Sequence, residues 1–288
     1  MRLYVFTLVI ITALAFAVDP RDYGATQNPA PGQPATDNYV INVINTFECP
    51  YASMILGLDY VSNGDFILFT DDESGDENLF VCNAGNGTYV NAIDMPWTTP
   101  SPFGIGDFYP AGSQPHCNDF GDDLIRYGIN FTGSYPNVYD ENGRGMDCDG
   151  TYIWEAFGPM SATYGACLRM FPDGTSVQAW NLPGITTQLS GLTVYPIPGK
   201  QGIAVTAYEW GSPNHYIWFY EFNGSTMSQL GSADLPSCLL SFGLAYSGTR
   251  DTFFWSWMNA SGICFISELE ITETSLEETT WGSIKASF

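Results

Sequence analysis

The tetrapeptide Gly57-Leu58-Asp59-Tyr60 opens a short apolar run that returns four more times along the chain. The later runs begin at Gly104, Gly145, Gly191 and Gly243. Successive glycines are 47, 41, 46 and 52 residues apart, and alternating strand-like segments follow each of them. A period of this length that is filled with strands is typical of a propeller blade of about four strands.

Turn residues divide the first period into four short strands. The predicted strands are 55–61, 65–70, 78–83 and 88–94, joined at Asn63-Gly64, Ser74-Gly75 and Asn86-Gly87. Asn-Gly between apolar runs is a strong hairpin signal. The second period is the exception, because residues 110–122 do not predict a clear strand.

One strand-like segment, residues 38–47, precedes the first repeat, whereas the last repeat supplies only three strands, at 242–247, 252–257 and 263–271. We therefore expect the N-terminal strand to be the outer strand of the last blade, because this pairing leaves no half-blade at the chain ends. An alternative is that it caps a separate sheet or pairs with another molecule. The predicted fold is an all-β, five-bladed β-propeller over residues 38–271.

This pattern resembles the five-bladed secreted β-propellers and, more loosely, bacterial extracellular blade repeats of the form G-L-x-Y. The resemblance covers residues 38–271 and rests on Gly57-Leu58-Asp59-Tyr60, Gly191-Leu192-Thr193-Val194-Tyr195 and Gly243-Leu244-Ala245-Tyr246. Propellers of this kind include lectins, lyases, glycosidases and assembly subunits. The resemblance implies a fold and not a reaction.

The composition is typical of an all-β chain, and its charge predicts that the chain does not bind nucleic acid. The 288 residues include 15% aromatic residues, 30 Gly and 18 Pro, which favour packed sheets joined by turns. With 8 basic and 31 acidic residues the net charge is −23, so the protein repels phosphate backbones.

The N-terminus predicts export. Residues 1–17 combine Arg2, an apolar stretch and the ending Ala15-Phe16-Ala17, which is typical of a cleaved signal peptide. Residues 18–37 are predicted to be an extended Pro/Gly-rich leader, and residues 272–288 a C-terminal tail outside the ring. We expect a secreted protein with no membrane span after signal removal.

The sequence contains seven cysteines, and the export signal predicts that they reach an oxidising compartment, where disulfides form. If residues 38–47 run antiparallel to 263–271, Cys49 lies near Cys264, and a bridge between them would close the ring. Cys238 with Cys264 is the competing choice. Cys148 with Cys167 is a second predicted pair, and Cys117 is left unpaired.

The sequence carries no familiar catalytic motif, and its only histidines are His116 and His215. Acidic residues of the inner strands, Asp59, Asp107 and Asp147, could hydrolyse glycosides as paired carboxylates. Thr193 and Ala245 stand at the corresponding positions of the last two repeats, which weakens that interpretation.

Two further sets of residues suggest ligands or modification. Asp71, Asp72 and Asp76 lie in an acidic loop that could bind calcium, the only cofactor the sequence suggests, although the loop lacks the EF-hand spacing and a solvated hairpin tip is the favoured interpretation. Four sites match the N-glycosylation pattern: Asn86, Asn130, Asn223 and Asn259. Turn residues beside Ser or Thr would produce the same match by chance.

Taken with the export signal, these features predict a secreted, non-enzymatic binding or structural module. Its partners would be an extracellular glycan or protein. One alternative is a glycan-active enzyme or lectin that uses carboxylates of the central channel. The other is a self-assembling extracellular filament subunit that docks through its N- or C-terminal tail.

Overall fold

A computed structural model describes residues 39–71, 78–95, 102–107, 115–119, 124–128, 130–138, 143–157, 165–185, 188–208 and 214–273. These residues form twenty strands in five four-stranded antiparallel sheets. None of these ranges contains a helix long and apolar enough to cross a membrane. The predicted signal peptide and leader, and the tail beyond residue 273, lie outside the described residues, and their boundaries stay predictions.

The strands are, in chain order, β1 (Tyr39–Glu48), β2 (Ile55–Val61), β3 (Phe66–Asp71), β4 (Asn78–Asn83), β5 (Tyr89–Asp94), β6 (Pro102–Asp107), β7 (Pro115–Asp119), β8 (Leu124–Tyr127), β9 (Gly133–Pro136), β10 (Gly143–Cys148), β11 (Ile153–Phe157), β12 (Gly165–Met170), β13 (Gln178–Leu182), β14 (Gln188–Ile197), β15 (Lys200–Tyr208), β16 (Tyr216–Phe222), β17 (Met227–Asp234), β18 (Leu240–Ser247), β19 (Thr252–Met258) and β20 (Cys264–Glu273). Blades 1 to 4 take four consecutive strands each, from β2 to β17. The all-β, five-bladed prediction is confirmed.

The N-terminal strand completes the last blade, as the sequence predicts. Blade 5 has the order β1-β20-β19-β18, and β1 runs antiparallel to β20 from Tyr39 opposite Glu273 to Glu48 opposite Phe265. Phe47 of β1 is buried, whereas Val40 and Ile44 are exposed on its outer side. The first and last described strands are therefore neighbours.

The second blade contains a strand that the sequence does not clearly predict. β7 lies inside residues 110–122 and carries His116 and Asn118, which are polar and poor strand formers. Both side chains are nevertheless buried, and Asn118 hydrogen-bonds to the neighbouring inner strand. Packing between blades, and not local propensity, holds this strand in place.

The five recurring glycines form a ring at the centre of the propeller. Each lies at a register shift between the first and second strands of its blade. A Cβ on Gly191 would stand 2.6 Å from the backbone nitrogen of Leu244, and one on Gly243 would stand 2.7 Å from that of Leu58. The other three glycines meet the backbone of the next blade in the same way: Gly57, Gly104 and Gly145.

The register shift leaves the backbone N–H of the glycine without a partner on the second strand's backbone. A polar side chain on the second strand accepts a hydrogen bond from it instead. Gly57 donates its N–H to Thr70 Oγ1 at 2.8 Å, and the Thr70 hydroxyl donates to the Phe103 carbonyl of blade 2 at 2.9 Å. The same bridge recurs at three further side chains: Asn118, Thr206 and Ser256. Each bridge satisfies a buried backbone group and ties one blade to the next.

Blade 3 has a carboxyl group, Glu155, on its second strand at this depth. Its Oε1 accepts hydrogen bonds from the side-chain amides of Asn118 and Asn137, at 2.5 and 3.0 Å. Its Oε2 is buried and has no partner among the described residues. Burial raises the pKa of Glu155 to about 7, even though the two amides act to lower it.

Replacing a ring glycine should destabilise the fold strongly. In Gly191→Ala the new methyl group would meet backbone atoms of blade 5, which cannot move aside as a side chain can, so we expect a loss of about 3 kcal/mol. The matched control is Gly248→Ala, where the nearest atom to a new Cβ is 3.8 Å away. Chemical denaturation measures both, and equal effects would contradict the ring.

Glu155 should make stability fall as pH rises. Its pKa is about 7 in the folded protein against an ordinary 4.5, so its contribution is complete below about pH 4.5 and is lost as pH rises through about 7. The loss should reach about 3 kcal/mol. Glu155→Gln keeps an acceptor and replaces Oε2 by a donor, so it should remove this share of the pH dependence.

Denaturation curves between pH 5 and 8.5 test this prediction, because the difference between wild type and Glu155→Gln cancels the other titrating groups. Glu270→Gln, an exposed residue of β20, is the control. Parallel curves for wild type and Glu155→Gln would show that the buried carboxyl does not titrate in this range.

Candidate functional site

A cavity of about 320 Å³ opens where the inner strands end. It is lined by residues of four inner strands and of the turns that follow two of them: Asp59, Tyr60, Val61, Ser62, Asp147, Cys148, Val194, Tyr246, Gly248 and Thr249. Blades 1, 3, 4 and 5 contribute these residues. Convergence of several blades on one concave site is typical of a ligand pocket.

The predicted carboxylates Asp59 and Asp147 both line this cavity, since each stands two residues after a ring glycine. The equivalent residue of blade 2 is Gly106. Asp107 follows one position later in β6, and its side chain lies outside the described residues. The structure thus brings two of the three predicted carboxylates to one cavity.

Asp147 joins blade 3 to blade 4. Its Oδ1 accepts from the Cys148 N–H at 2.6 Å, and its Oδ2 accepts from the Thr193 hydroxyl at 2.6 Å and the Val194 N–H at 2.7 Å. Thr193 Oγ1 in turn accepts from the Tyr246 N–H of blade 5 at 3.0 Å. Oδ2 therefore links blade 3 to blade 4 and, through Thr193, to blade 5, whereas Oδ1 is occupied within its own strand.

Burial and hydrogen bonding act on Asp147 in opposite directions. Burial raises its pKa to about 6, although the Thr193 hydroxyl and two backbone N–H groups act to lower it. Asp59 is also buried, at 7% exposed, and its Oδ1 accepts from the Tyr60 N–H at 2.7 Å. The cavity is thus lined by two buried carboxylates that accept hydrogen bonds from backbone N–H groups.

Sequence reasoning missed the two tyrosines of the cavity, Tyr60 and Tyr246. Their hydroxyls donate to carboxylates of the adjoining turns, Tyr60 to Asp65 at 2.9 Å and Tyr246 to Asp251 at 2.7 Å. The signal was present, because both are the last residue of the Gly-Leu-x-Tyr pattern. The pattern that predicts the blades therefore also predicts two residues of the cavity wall.

Arg250 ties the rim of this cavity across the seam between blades 5 and 1. Its guanidinium lies 2.6 Å from an oxygen of Asp65 and 3.3 Å from one of Glu268. The hydrogen bond from Arg250 lowers the pKa of Asp65. This ion pair fixes the turn that carries Thr249 against the turn of blade 1.

One of the three residues predicted to bind calcium, Asp71, has a structural role. Asp71 is buried, and its Oδ1 accepts from the backbone N–H groups of Ser53 and Met54 at 2.9 and 2.7 Å. Asp72 and Asp76 lie outside the described residues. Within the described ranges, no group of three acidic, histidine or cysteine side chains is arranged to hold a metal.

The sequons lie in turns whose geometry explains their recurrence. The side-chain oxygens of Asn86 and Asn223 accept from the N–H two residues later, at 2.9 and 3.0 Å. Asp173 makes the same contact, at 2.9 Å, in the matching turn of blade 3, where no sequon exists. The turn itself therefore favours Asn or Asp at its first position, and in these three turns a Thr or Ser stands two residues later. Asn130 lies in the matching turn of blade 2 and is exposed, whereas Asn259 follows β19 and is half-buried.

None of the seven cysteines, which all lie in the described residues, is in a disulfide in the structure. The predicted pair Cys148–Cys167 does not fit the sheet, because β10 and β12 are separated by β11 and their backbones lie roughly 9 Å apart. Cys238 and Cys264 are likewise separated by β19. Cys49 lies opposite Cys264, whose carbonyl accepts the Cys49 N–H at 2.9 Å.

No protein-family model and no curated protein matches this chain. A glutaminyl cyclase from Myxococcus xanthus has a TM-score of 0.59 and 12% identity, over 84% of this chain and 100% of that one. A gluconolactonase from Xanthomonas campestris has a TM-score of 0.47 and 12% identity, over 85% and 99%. An auxiliary nutrient binding protein from Bacteroides thetaiotaomicron has 0.48 and 12%, over 76% and 60%. Identities this low show the fold alone.

Removing the Thr193 hydroxyl should loosen the link between blades 3, 4 and 5. Thr193→Val takes a donor from Asp147 and leaves the Tyr246 N–H without its acceptor, so we expect a loss of about 2 kcal/mol. The control is Thr272→Val, an exposed residue of β20. Equal denaturation midpoints for Thr193→Val and wild type would contradict this role.

Proposed function

We propose that this chain is an exported, non-enzymatic binding module whose ligand occupies the cavity at the ends of the inner strands. One observation carries the proposal: a concave site is shared by four blades, yet both oxygens of Asp147 are engaged in hydrogen bonds to protein groups. A carboxylate engaged in this way holds the walls of the cavity in place. It is poorly placed to exchange protons with a substrate.

The ligand class follows from the lining of the cavity. A volume of about 320 Å³ is at the small end of ligand pockets and suits one sugar unit or a side chain of a protein partner. Acidic groups and tyrosines beside the opening favour a neutral, hydroxyl-rich or cationic ligand over an anionic one. An extracellular glycan or protein meets these requirements.

Export is proposed from residues 1–17 and agrees with the exposure of Asn86, Asn130 and Asn223. Their turns join the third and fourth strands of blades 1, 2 and 4, which is the face where the cavity opens. In a host that glycosylates, sugars there would stand around the outer rim of this face and leave its centre open. The binding surface would then be that centre.

A glycan-active enzyme is the second candidate. It is favoured by two buried carboxylates, Asp59 and Asp147, on one cavity, and by the pKa of Asp147, which burial raises to about 6. A general acid in glycoside hydrolysis needs a raised pKa of this kind, with a second carboxylate nearby. The enzyme is the weaker of the two candidates, because both oxygens of Asp147 already accept hydrogen bonds from protein groups.

Binding and hydrolysis are tested together on the full chain, expressed with its own residues 1–17 and recovered from the medium. A panel of oligosaccharides and polysaccharides is offered, and bound and cleaved sugars are measured separately. We expect binding without cleavage, weakened at least about tenfold by Ser62→Trp, whose ring would fill the mouth. Ser228→Trp, on the exposed outer strand of blade 4, is the matched control.

Two outcomes would contradict the proposal. Cleavage of any sugar that disappears in Asp59→Ala or Asp147→Ala would select the enzyme. Binding that is equally strong in wild type and Ser62→Trp would move the ligand away from this cavity.

A further inference from the structure

Three buried thiols gather where the ring closes. Cys49 follows the closing strand β1, Cys264 begins β20, and Cys82 belongs to β4 of blade 1. Their exposed fractions are 0%, 2% and 0%, and all three belong to one apolar cluster. The cluster spans the seam between the last blade and the first.

The end of β1 packs onto blade 1. Asn45 donates its side-chain amide to the Gly85 carbonyl at 2.9 Å, and the Phe47 ring lies where a Cβ on Gly87 would be. Side chains two residues apart on an extended strand project to the same side. Cys49 is two residues beyond Phe47, so its thiol also faces blade 1, where Cys82 lies on the strand that leads to this turn.

Tyr51 contacts the thiols of both Cys49 and Cys82, which shows that the two lie near each other. Its hydroxyl donates to the Gly87 carbonyl at 3.0 Å. Burial raises the pKa of the Cys49 thiol, and the charges of Cys82 and Cys264 act in the same direction, that of Cys82 more strongly. The Cys264 thiol instead donates to the Ser53 carbonyl at 3.3 Å.

We propose that Cys49 and Cys82 form a disulfide that joins the closing strand covalently to blade 1. The expected Cys49–Cys264 bridge would link two strands of blade 5 only and would leave the seam without a covalent bond. A Cys49–Cys82 bridge crosses the seam itself. It would hold β1 against the first blade even when its pairing with β20 opens.

The reaction is a thiol–disulfide exchange with a small-molecule or protein disulfide as the oxidant. Two S–H bonds break and one S–S bond forms, while two protons and two electrons pass to the oxidant, which becomes two thiols. Burial raises the pKa of Cys49 and brings that of Cys82 to about 12, so neither thiol ionises in the closed ring. Both thiols are also fully buried once the ring has closed, where an oxidant cannot reach them, so the bond forms as the ring closes.

Disulfide mapping of the exported full chain tests the proposal. Free thiols are blocked with N-ethylmaleimide in denaturant without reductant, the chain is digested with pepsin, and linked peptides are identified by mass spectrometry. We expect one linked pair that contains Cys49 and Cys82, with Cys264 alkylated. A Cys49–Cys264 pair, or alkylation of both Cys49 and Cys82, would overturn the proposal.

Serine variants give a second readout. Cys82→Ser should leave Cys49 open to alkylation, and its melting temperature should no longer fall on reduction, whereas that of wild type should fall by roughly 5–10 °C. Cys264→Ser and Cys167→Ser should keep the bond; Cys167 is the matched control, because it is a buried cysteine on the third strand of blade 3. If Cys264→Ser loses the bond and Cys82→Ser keeps it, the proposal is wrong. If Cys82→Ser does not fold, the wild-type peptide map decides alone.

Discussion

Backbone-to-backbone contact at the propeller axis is the constraint on which the rest of the structure depends. At each ring glycine, the main chain of one blade approaches the main chain of the next so closely that a methyl group has no room. The contacts run from each blade to its successor and from the fifth to the first. Five blades therefore share one spacing at the centre, and a change in one inner strand is felt by its neighbours.

This close approach requires a bulge, and the bulge requires a polar partner. Each inner strand shifts register at its glycine, and in blades 1, 2, 4 and 5 the glycine N–H that leaves the ladder donates to a hydroxyl or amide side chain of the second strand. Asp147 and Thr193 repeat this solution one layer further along the inner strands, between blades and beside the cavity. The carboxylate that makes this part of the cavity acidic is thus also the acceptor that links blade 3 to blade 4.

Spacing and turn chemistry were sufficient to predict the blades and their closure, because glycines and Asn-Gly turns act locally. They could not predict β7, whose Asn118 bonds to the Arg144 carbonyl of blade 3 and whose His116 stacks on Tyr127 of its own blade. Nor could they predict the bridging role of Thr70, which depends on a carbonyl 33 residues away. Asp59 and Asp147 could be predicted as neighbours from their common position after a glycine. The use of Asp147 as a link to Thr193 could not, since its partner lies 46 residues further along the chain. Antiparallel pairing of the first and last strands likewise predicted Cys49 beside Cys264, but spacing gave no indication that Cys82 joins the same apolar cluster.

Closure by the first strand also orders events during synthesis. Asn42 meets Glu270 across 228 residues, so β1 leaves the ribosome long before its pairing partner exists. Blades 1 to 4 consist of consecutive strands and can fold as they emerge, while β1 waits unpaired and exposes Tyr39, Ile41 and Phe47, which the finished ring covers. A strand in that state, with unpaired backbone edges and no charged residue before Glu48, is a target for chaperones and for other nascent chains of its own kind. The architecture that gives the finished ring no loose end thus concentrates its risk of misassembly into the interval before the last strand is made.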